Sequence, residues 1–359
     1  MSYRIVEQVF ILQETISMLY KFVNGITFPE LLQQWKLATE ENKDEPRIHR
    51  LNRLQQIMDQ VCAGLDPRDP ELRHFFGHVE CGCEEVCLAQ ILTDSFCTLE
   101  NPGFRAQVEE ILSIWKSLQA RGCWIQPNSM ANLNFSDDPG SPGDLGEQLS
   151  AMNYSPKFRK TLKSALELFE ENLYRIAELT EPLSRRLEEA YRNEPQLFAG
   201  LVHFWQERFR QSDPLDLLTA LGTEEEKRGA GEETWVSLSL MNTNVVIVHM
   251  TGASAFPLTH NCMTIGSAIT SASRAKKRGT DLDSVYTILK CLCDRNRLEI
   301  LRRLSHDRSY CRALADTTGI DPGNLSRSLS MLYSYGFLRQ ERGTWRTYYE
   351  TDRAALHEF

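Results

Sequence analysis

Apolar residues recur at three- and four-residue spacing along most of the first 210 residues, and that period commits the bulk of this chain to helices. The runs are Phe10 to Val23, Leu31 to Leu37, Leu51 to Val61, Val108 to Leu118, Leu162 to Ile176 and Leu197 to Phe209. Such a period lays one apolar stripe along each helix, and the stripes are expected to share a core. The breaks have helix-boundary chemistry. Asp66-Pro67-Arg68-Asp69-Pro70 and Asn101-Pro102-Gly103 put prolines near the start of the next helix, where a missing N–H costs nothing. The stretch Asn134 to Pro156, rich in Ser, Asp, Gly and Pro, reads as a flexible loop or as a lid over a pocket.

From Trp235 the texture changes. Val236, Leu238 and Leu240 alternate with Ser237 and Ser239, Asn242-Thr243-Asn244 punctuates, and Val245 to Val248 resume, which predicts a β-hairpin. Cys262 to Ile269 supplies a third strand or a short helix. No Asp, Glu, Lys or Arg occurs from Thr234 to Ser273, so this stretch is expected to be buried or to face another subunit. It is too broken to span a membrane: Asn242, Asn244, Gly252, Pro257, His260 and Asn261 interrupt it, and its longest aliphatic run is Val245 to Val248.

The 359 residues are enough for about two or three domains. A net charge of −9 argues at first against nucleic acid, but it is unevenly spread. Residues 271 to 359 hold 16 basic against 11 acidic residues, a net of +5, and the remainder holds 24 against 38, a net of −14. An acidic body with a mildly basic tail is what a nucleic-acid-binding module joined to a non-binding domain gives. The opening Met1 to Glu7 has no charged segment followed by an apolar one and a cleavage site, so a cytoplasmic location is expected, with the ten cysteines kept as thiols.

The tail can be parsed residue by residue. Leu282, Val285, Leu289 and Leu292 make one apolar stripe; Asp294 is placed to cap a second helix, whose stripe is Leu298, Leu301 and Leu304. Tyr310 to Thr318 forms a third helix. After the turn Gly319-Ile320, Asp321-Pro322 opens a fourth that runs to Tyr335, with Leu325, Leu329 and Leu332 on one face and Gly323, Asn324, Arg327 and Ser330 on the other, Ser326 at its edge. Gly336 ends it, and Phe337-Leu338-Arg339 leads into a strand that turns at Arg342-Gly343 and returns through Trp345 to Tyr349. Helices, a helix-turn-helix and a β-hairpin, in that order, predict a winged helix, whose second helix-turn-helix helix lies in the major groove of DNA.

The residues Leu292-Cys293-Asp294-Arg295-Asn296-Arg297-Leu298-Glu299-Ile300-Leu301 resemble the opening signature of the ArsR family of bacterial winged-helix repressors, and Gly319 to Leu329 resembles its recognition element without gaps. The likeness covers about 75 residues. It implies DNA contacts by Asn324, Ser326 and Arg327, with Ser330 on the same face, by Arg342 and Arg346 on the wing, and dimeric binding to promoter half-sites. Ser328 stands where the family usually has His. The family's metal sites typically use Cys-x-Cys on the third helix, and Tyr310-Cys311-Arg312 offers only one thiol there. Cys291-x-Cys293 reads as buried or semi-buried thiols or as a ligand pair.

Two features of the first domain bear on sensing. His74, His78, Cys81, Cys83 and Cys87 fall within fourteen residues. On helices His74 and His78 stand one turn apart, as do Cys83 and Cys87, so the group is read either as ligands for a soft ion such as zinc or as core, the latter favoured by Phe75-Phe76 and Leu88 to Leu92 nearby. The aromatic residues Trp35, Phe75, Phe76, Trp115, Trp124, Phe204, Trp205 and Phe209 either line a small-molecule pocket or fill the core.

The expected fold is mainly α with small β elements: a sensing and dimerisation domain over 1–270 with β structure near 235–269, a basic linker over 271–280, and a winged helix-turn-helix over 281–359. The expected function is a one-component transcriptional regulator, a homodimeric repressor of promoter DNA answering to a small-molecule or metal effector. The alternative is an enzyme or protein-interaction domain in the first 270 residues with the winged helix as a tether. No P-loop, Gly-x-Gly-x-x-Gly, Gly-x-Ser-x-Gly or His-Glu-x-x-His occurs, so no catalytic residues are assigned.

Overall fold

A computed structural model describes residues 3–31, 45–81, 84–96, 98–120, 156–210, 233–243, 246–249, 258–269, 292–321, 337–342 and 347–353, with residues 145, 149, 214, 325, 328, 329, 332 and 333. The chain is mainly helical with three small sheets. No helix among the described residues is long and apolar enough to cross a membrane.

The first core forms around α1 (Ile11–Asn24), whose Ile11, Leu12, Ile16, Met18, Leu19 and Val23 are all buried. Gly25 ends it in the left-handed conformation, φ 66°, which only glycine adopts without strain, and its N–H returns to the Lys21 and Phe22 carbonyls. Around it pack α2 (Glu45–Val61), α3 (Pro70–Phe76), α4 (Leu88–Thr93), a 3₁₀ turn (Asp94–Phe96), α5 (Phe104–Ala120), α6 (Pro156–Glu167), α7 (Phe169–Asn193) and α8 (Pro195–Phe209). The Asp66–Pro70 signal is met in full. Asp69 accepts from the Glu71 and Leu72 N–H groups at 2.9 and 3.0 Å, and Pro70 occupies the first helical turn.

The run Leu162 to Ile176 is two helices rather than one. The chain breaks at Leu168, and Asn172 closes the break by donating to the Ala165 carbonyl at 3.1 Å. Among the aromatics, Trp115 stacks on Phe169 at 4.0 Å with Phe96 edge-on to both, and Trp205 stacks on Phe209 at 5.1 Å, so these rings are core filling. Phe75 and Phe76 are buried and Phe204 is half exposed; Trp35 and Trp124 lie outside the described residues. The Asn134–Pro156 stretch does so too, apart from Pro156 and the helical, buried Leu145 and Leu149.

The predicted hairpin is replaced by a sheet of order β1-β4-β6-β5. Strand β1 (Tyr3–Ile5) pairs parallel with β4 (Thr234–Ser239), β4 parallel with β6 (Asn261–Gly266), and β6 antiparallel with β5 (Val246–His249). β6 thus inserts between the two strands expected to pair. Ser237 and Ser239 are both buried, in keeping with the absence of charge from this stretch, because the sheet lies against α1 and turns its hydroxyls inward. One continuous apolar core runs from Ile11 to Ile265, so the first and last parts of this body are built together.

A second core joins Ile300, Leu301, Leu304, Leu314, Leu325, Leu329, Leu332, Phe337, Leu338 and Tyr349. Its elements are α9 (Arg295–Leu304), β7 (Ser309–Tyr310), α10 (Cys311–Thr318), helical residues at Leu325, Ser328, Leu329, Leu332 and Tyr333, then β8 (Leu338–Arg342) and β9 (Thr347–Thr351). The sheet order is β7-β9-β8, all antiparallel. Asp294 caps α9 by accepting from the Arg297 N–H at 3.0 Å, as its position predicts. Leu298, placed in the apolar stripe, is instead half exposed, and Ile300 takes its place in the core.

Candidate functional site

Where α1 meets the sheet, the body closes around a cavity of about 40 Å³. Phe10, Gln13, Glu14 and Ser17 come from the start of α1, Asp94 from the 3₁₀ turn, Leu99 from the chain after it, Ser237, Leu238 and Ser239 from β4, Asn242 from the turn beyond, Ile247 and His249 from β5, and Cys262 and Thr264 from β6. Leu99 is the one non-glycine residue with positive φ, 62°, among the described residues, and backbone strain of that kind collects at binding and catalytic sites.

Glu14 anchors the wall. Its carboxylate accepts from the Leu240 N–H at 3.0 Å, the Met241 N–H at 2.8 Å, the Tyr191 hydroxyl at 2.8 Å and the Ser239 hydroxyl. Burial pushes its pKa up, and the four donors oppose that. Two bonds to each oxygen leave it with no acceptor capacity to spare. Lys21, about two turns on, is buried beside the Phe28 ring at 5.9 Å; desolvation lowers its ammonium to about 8, against the pull of Glu14.

Asp94 and His249 are in a different condition. Asp94 is buried, accepts from the Thr93 hydroxyl at a long 3.3 Å, and is pushed up to about 7 by desolvation. His249 is buried with neither ring nitrogen hydrogen-bonded, and burial lowers it to about 4, so the ring is neutral at pH 7. The Asp94 main chain pulls weakly the other way without reaching hydrogen-bond geometry. His260, on the same sheet, shows how a core histidine is ordinarily satisfied. One nitrogen meets the Thr98 carbonyl and the other the Thr259 hydroxyl, both at 2.9 Å, while the ring stacks on Trp235 at 3.9 Å.

The His/Cys cluster is not helical. β2 (His78–Cys81) and β3 (Glu84–Cys87) pair antiparallel, with His78 facing Cys87 and Cys81 facing Glu84 in register. A four-residue step in a strand spans about 13 Å, so the one-turn ligand spacing does not apply from His78 onward. His74 lies exposed at the end of α3 with its ring edge-on to Phe75, and the His78 ring meets the Tyr20 hydroxyl at 3.5 Å. Cys87 is buried and its thiol is pushed far up by desolvation. Cys83 and the Cys81 side chain lie outside the described residues, and among those described no three His, Cys, Asp or Glu side chains gather as a metal site.

In the C-terminal unit, Asn324, Ser326, Arg327, Ser330 and Arg346 lie outside the described residues, while Arg342 ends β8 opposite Thr347 with its side chain undescribed. The turn before them is described. Gly319 closes α10 with φ 68°, and the Leu325 N–H donates to the Asp321 carbonyl at 2.8 Å, a helical bond one turn into the next element. Comparison of the chain with family models, curated proteins and solved structures returns no match.

Glu14, Asp94 and His249 escaped the reading of the sequence. The available signal was an ionisable residue inside an apolar run, Glu14 between Leu12 and Ile16 and His249 closing Val245 to Val248.

Proposed function

We propose that the chain is a cytoplasmic, DNA-binding transcriptional regulator of the one-component type, a homodimeric repressor whose acidic N-terminal body senses an effector and whose basic C-terminal unit binds promoter DNA as a winged helix. The observation that carries this reading is the element order of the C-terminal unit. A capped helix, a short strand, a helix closed by a left-handed glycine, a further helical segment and a two-stranded hairpin paired back onto the short strand follow one another around one apolar core. A winged helix requires that order, and the resemblance of 292–301 and 319–329 to the ArsR family supports it independently.

The charge distribution supports it as well. The +5 net charge of residues 271–359 suits phosphate, and the −14 of the rest disfavours non-specific binding by the body. In this reading Asn324 and Arg327 read base edges, Ser326 and Ser330 hold the backbone, and Arg342 and Arg346 reach phosphate or the minor groove. A gel shift against the DNA upstream of the protein's own reading frame tests it. Arg327→Ala is expected to weaken binding roughly 5- to 150-fold and to lower the salt slope by about one if it contacts phosphate. Unchanged affinity and slope would remove the recognition-helix assignment.

A further inference from the structure

Every wall of the cavity comes from a different part of the chain, so its shape depends on the whole body: α1, the 3₁₀ turn and three strands of the sheet. At about 40 Å³ it has room for about three water-sized groups at 10 to 15 Å³ each. Phe10, Leu99, Leu238 and Ile247 make it apolar on part of its surface. The hydrogen-bonding capacity that remains is the informative part. Glu14 is saturated, whereas Asp94 has one long hydrogen bond and the two nitrogens of His249 have none.

Buried polar groups left in this way call for a partner. No Lys or Arg is among the described residues that line the cavity, and its carboxyls are Glu14 and Asp94, so the wall offers an anion no counter-charge. A neutral imidazole offers one acceptor nitrogen, and the Asp94 carboxyl, which lines the same cavity, offers acceptor oxygens. We propose that this cavity is the effector site, and that it takes a small cationic hydrogen-bond donor of the protonated-amine or amidinium class, held by Asp94 and His249. The ligand's N–H groups donate to the Asp94 carboxylate and to the imidazole, and a short alkyl part lies against Phe10 and Leu99. The raised pKa of Asp94 is consistent with a carboxyl lacking its counter-charge. β6, which lines the cavity through Cys262 and Thr264, is the last element of the body among the described residues, so an occupant acts on the described element of the body closest in sequence to the C-terminal unit.

The regulatory consequence rests on the function proposed above; the binding site does not. The full chain is titrated by calorimetry with ethylammonium chloride and guanidinium chloride at millimolar concentration, with sodium acetate and acetamide as anionic and neutral counterparts of the same size. Ligands this small saturate at roughly 0.1 to 10 mM. One-to-one binding of a cation, at least tenfold weaker in Asp94→Asn and absent for acetate, is the expected result. Because it needs no variant to fold, ¹⁵N observation of the His249 ring in the unaltered chain is the second readout, and a saturable shift is expected. No saturable binding by either cation overturns the proposal, as does equal binding of acetate or acetamide, or an Asp94→Asn chain that binds as well as the original. A gel shift with the upstream DNA, with and without saturating ethylammonium, tests the effector role. Bound cation with unchanged DNA affinity overturns that role. A chain that binds no DNA at all overturns the regulatory reading, and the calorimetry then still decides the site.

Discussion

The two cores of this molecule are built on opposite terms. The C-terminal core is made of apolar side chains, and among its described residues Thr351 alone is a buried polar one, donating to the Leu301 carbonyl at 3.0 Å. Its charges sit outside, where Arg302 and Arg303 bracket Glu299 and hold that carboxyl down at about 2. The N-terminal body buries Glu14, Lys21, Asp94 and His249 inside its core. A buried ionisable group costs stability unless it is fully partnered, so a fold that keeps several of them has a use for a polar interior that simple packing does not require. The smaller unit needs only to hold its shape and present a surface.

The largest test of this contrast is Glu14→Ala. It strands two buried main-chain N–H groups and two hydroxyls, at about 1 to 3 kcal/mol each, and is expected to cost about 5 kcal/mol in urea unfolding. Glu14→Gln, which keeps one acceptor oxygen, should recover part of that. If Glu14→Ala moved the midpoint no further than a surface substitution, Glu14 would not anchor the body.

That anchor also explains what was and was not legible in the sequence. The C-terminal unit is specified locally: Asp294 caps the helix that starts at the next residue, Gly319 ends the helix just before it, and β8 and β9 adjoin. Each of these could be read within a window of fourteen residues. The body is specified by long-range pairings. Tyr3–Ile5 pairs with Thr234–Val236, and Glu14 accepts from Leu240 and Met241, contacts more than 200 residues apart that no periodicity records. The hairpin expected from Trp235 to Val248 failed for that reason: a third strand from beyond residue 258 inserted between its halves. The helical spacing of the histidines and cysteines failed because from His78 onward the chain forms two short paired strands, and a run this short carries no period that separates strand from helix.

Asp94→Asn sharpens the contrast through pH. The folded state raises Asp94 from its ordinary 3.8 to about 7, so it binds its proton more tightly than the unfolded chain does. The stability it contributes is complete below about pH 4 and is lost as pH rises toward 7. His249 slopes the other way: its neutral form contributes fully above about 6.5, and that contribution is lost as pH falls toward 4. The two cancel in part in the natural chain. Asparagine removes only the first slope, so the variant should gain on the natural chain between pH 4 and 7, by up to about 4 kcal/mol at 1.4 kcal/mol per unit. Equal pH profiles for the two would mean that Asp94 is not held protonated by burial.

The smallest test uses one device that both regions share. Asp69 caps α3 in the body and Asp294 caps α9 in the C-terminal unit, each through main-chain N–H bonds near 3.0 Å. Replacing either by Ala should cost about 1 kcal/mol, and replacing either by Asn or Ser very little. Where that loss appears is informative. Two separate cores predict that Asp294→Ala shifts an unfolding transition which Asp69→Ala leaves in place, as hydrogen exchange at α9 and α3 in each variant would show. If either cap variant loosened both helices to the same extent, the cores would unfold as one unit, and the body's buried carboxyls would then bear directly on the stability of the surface proposed to meet DNA.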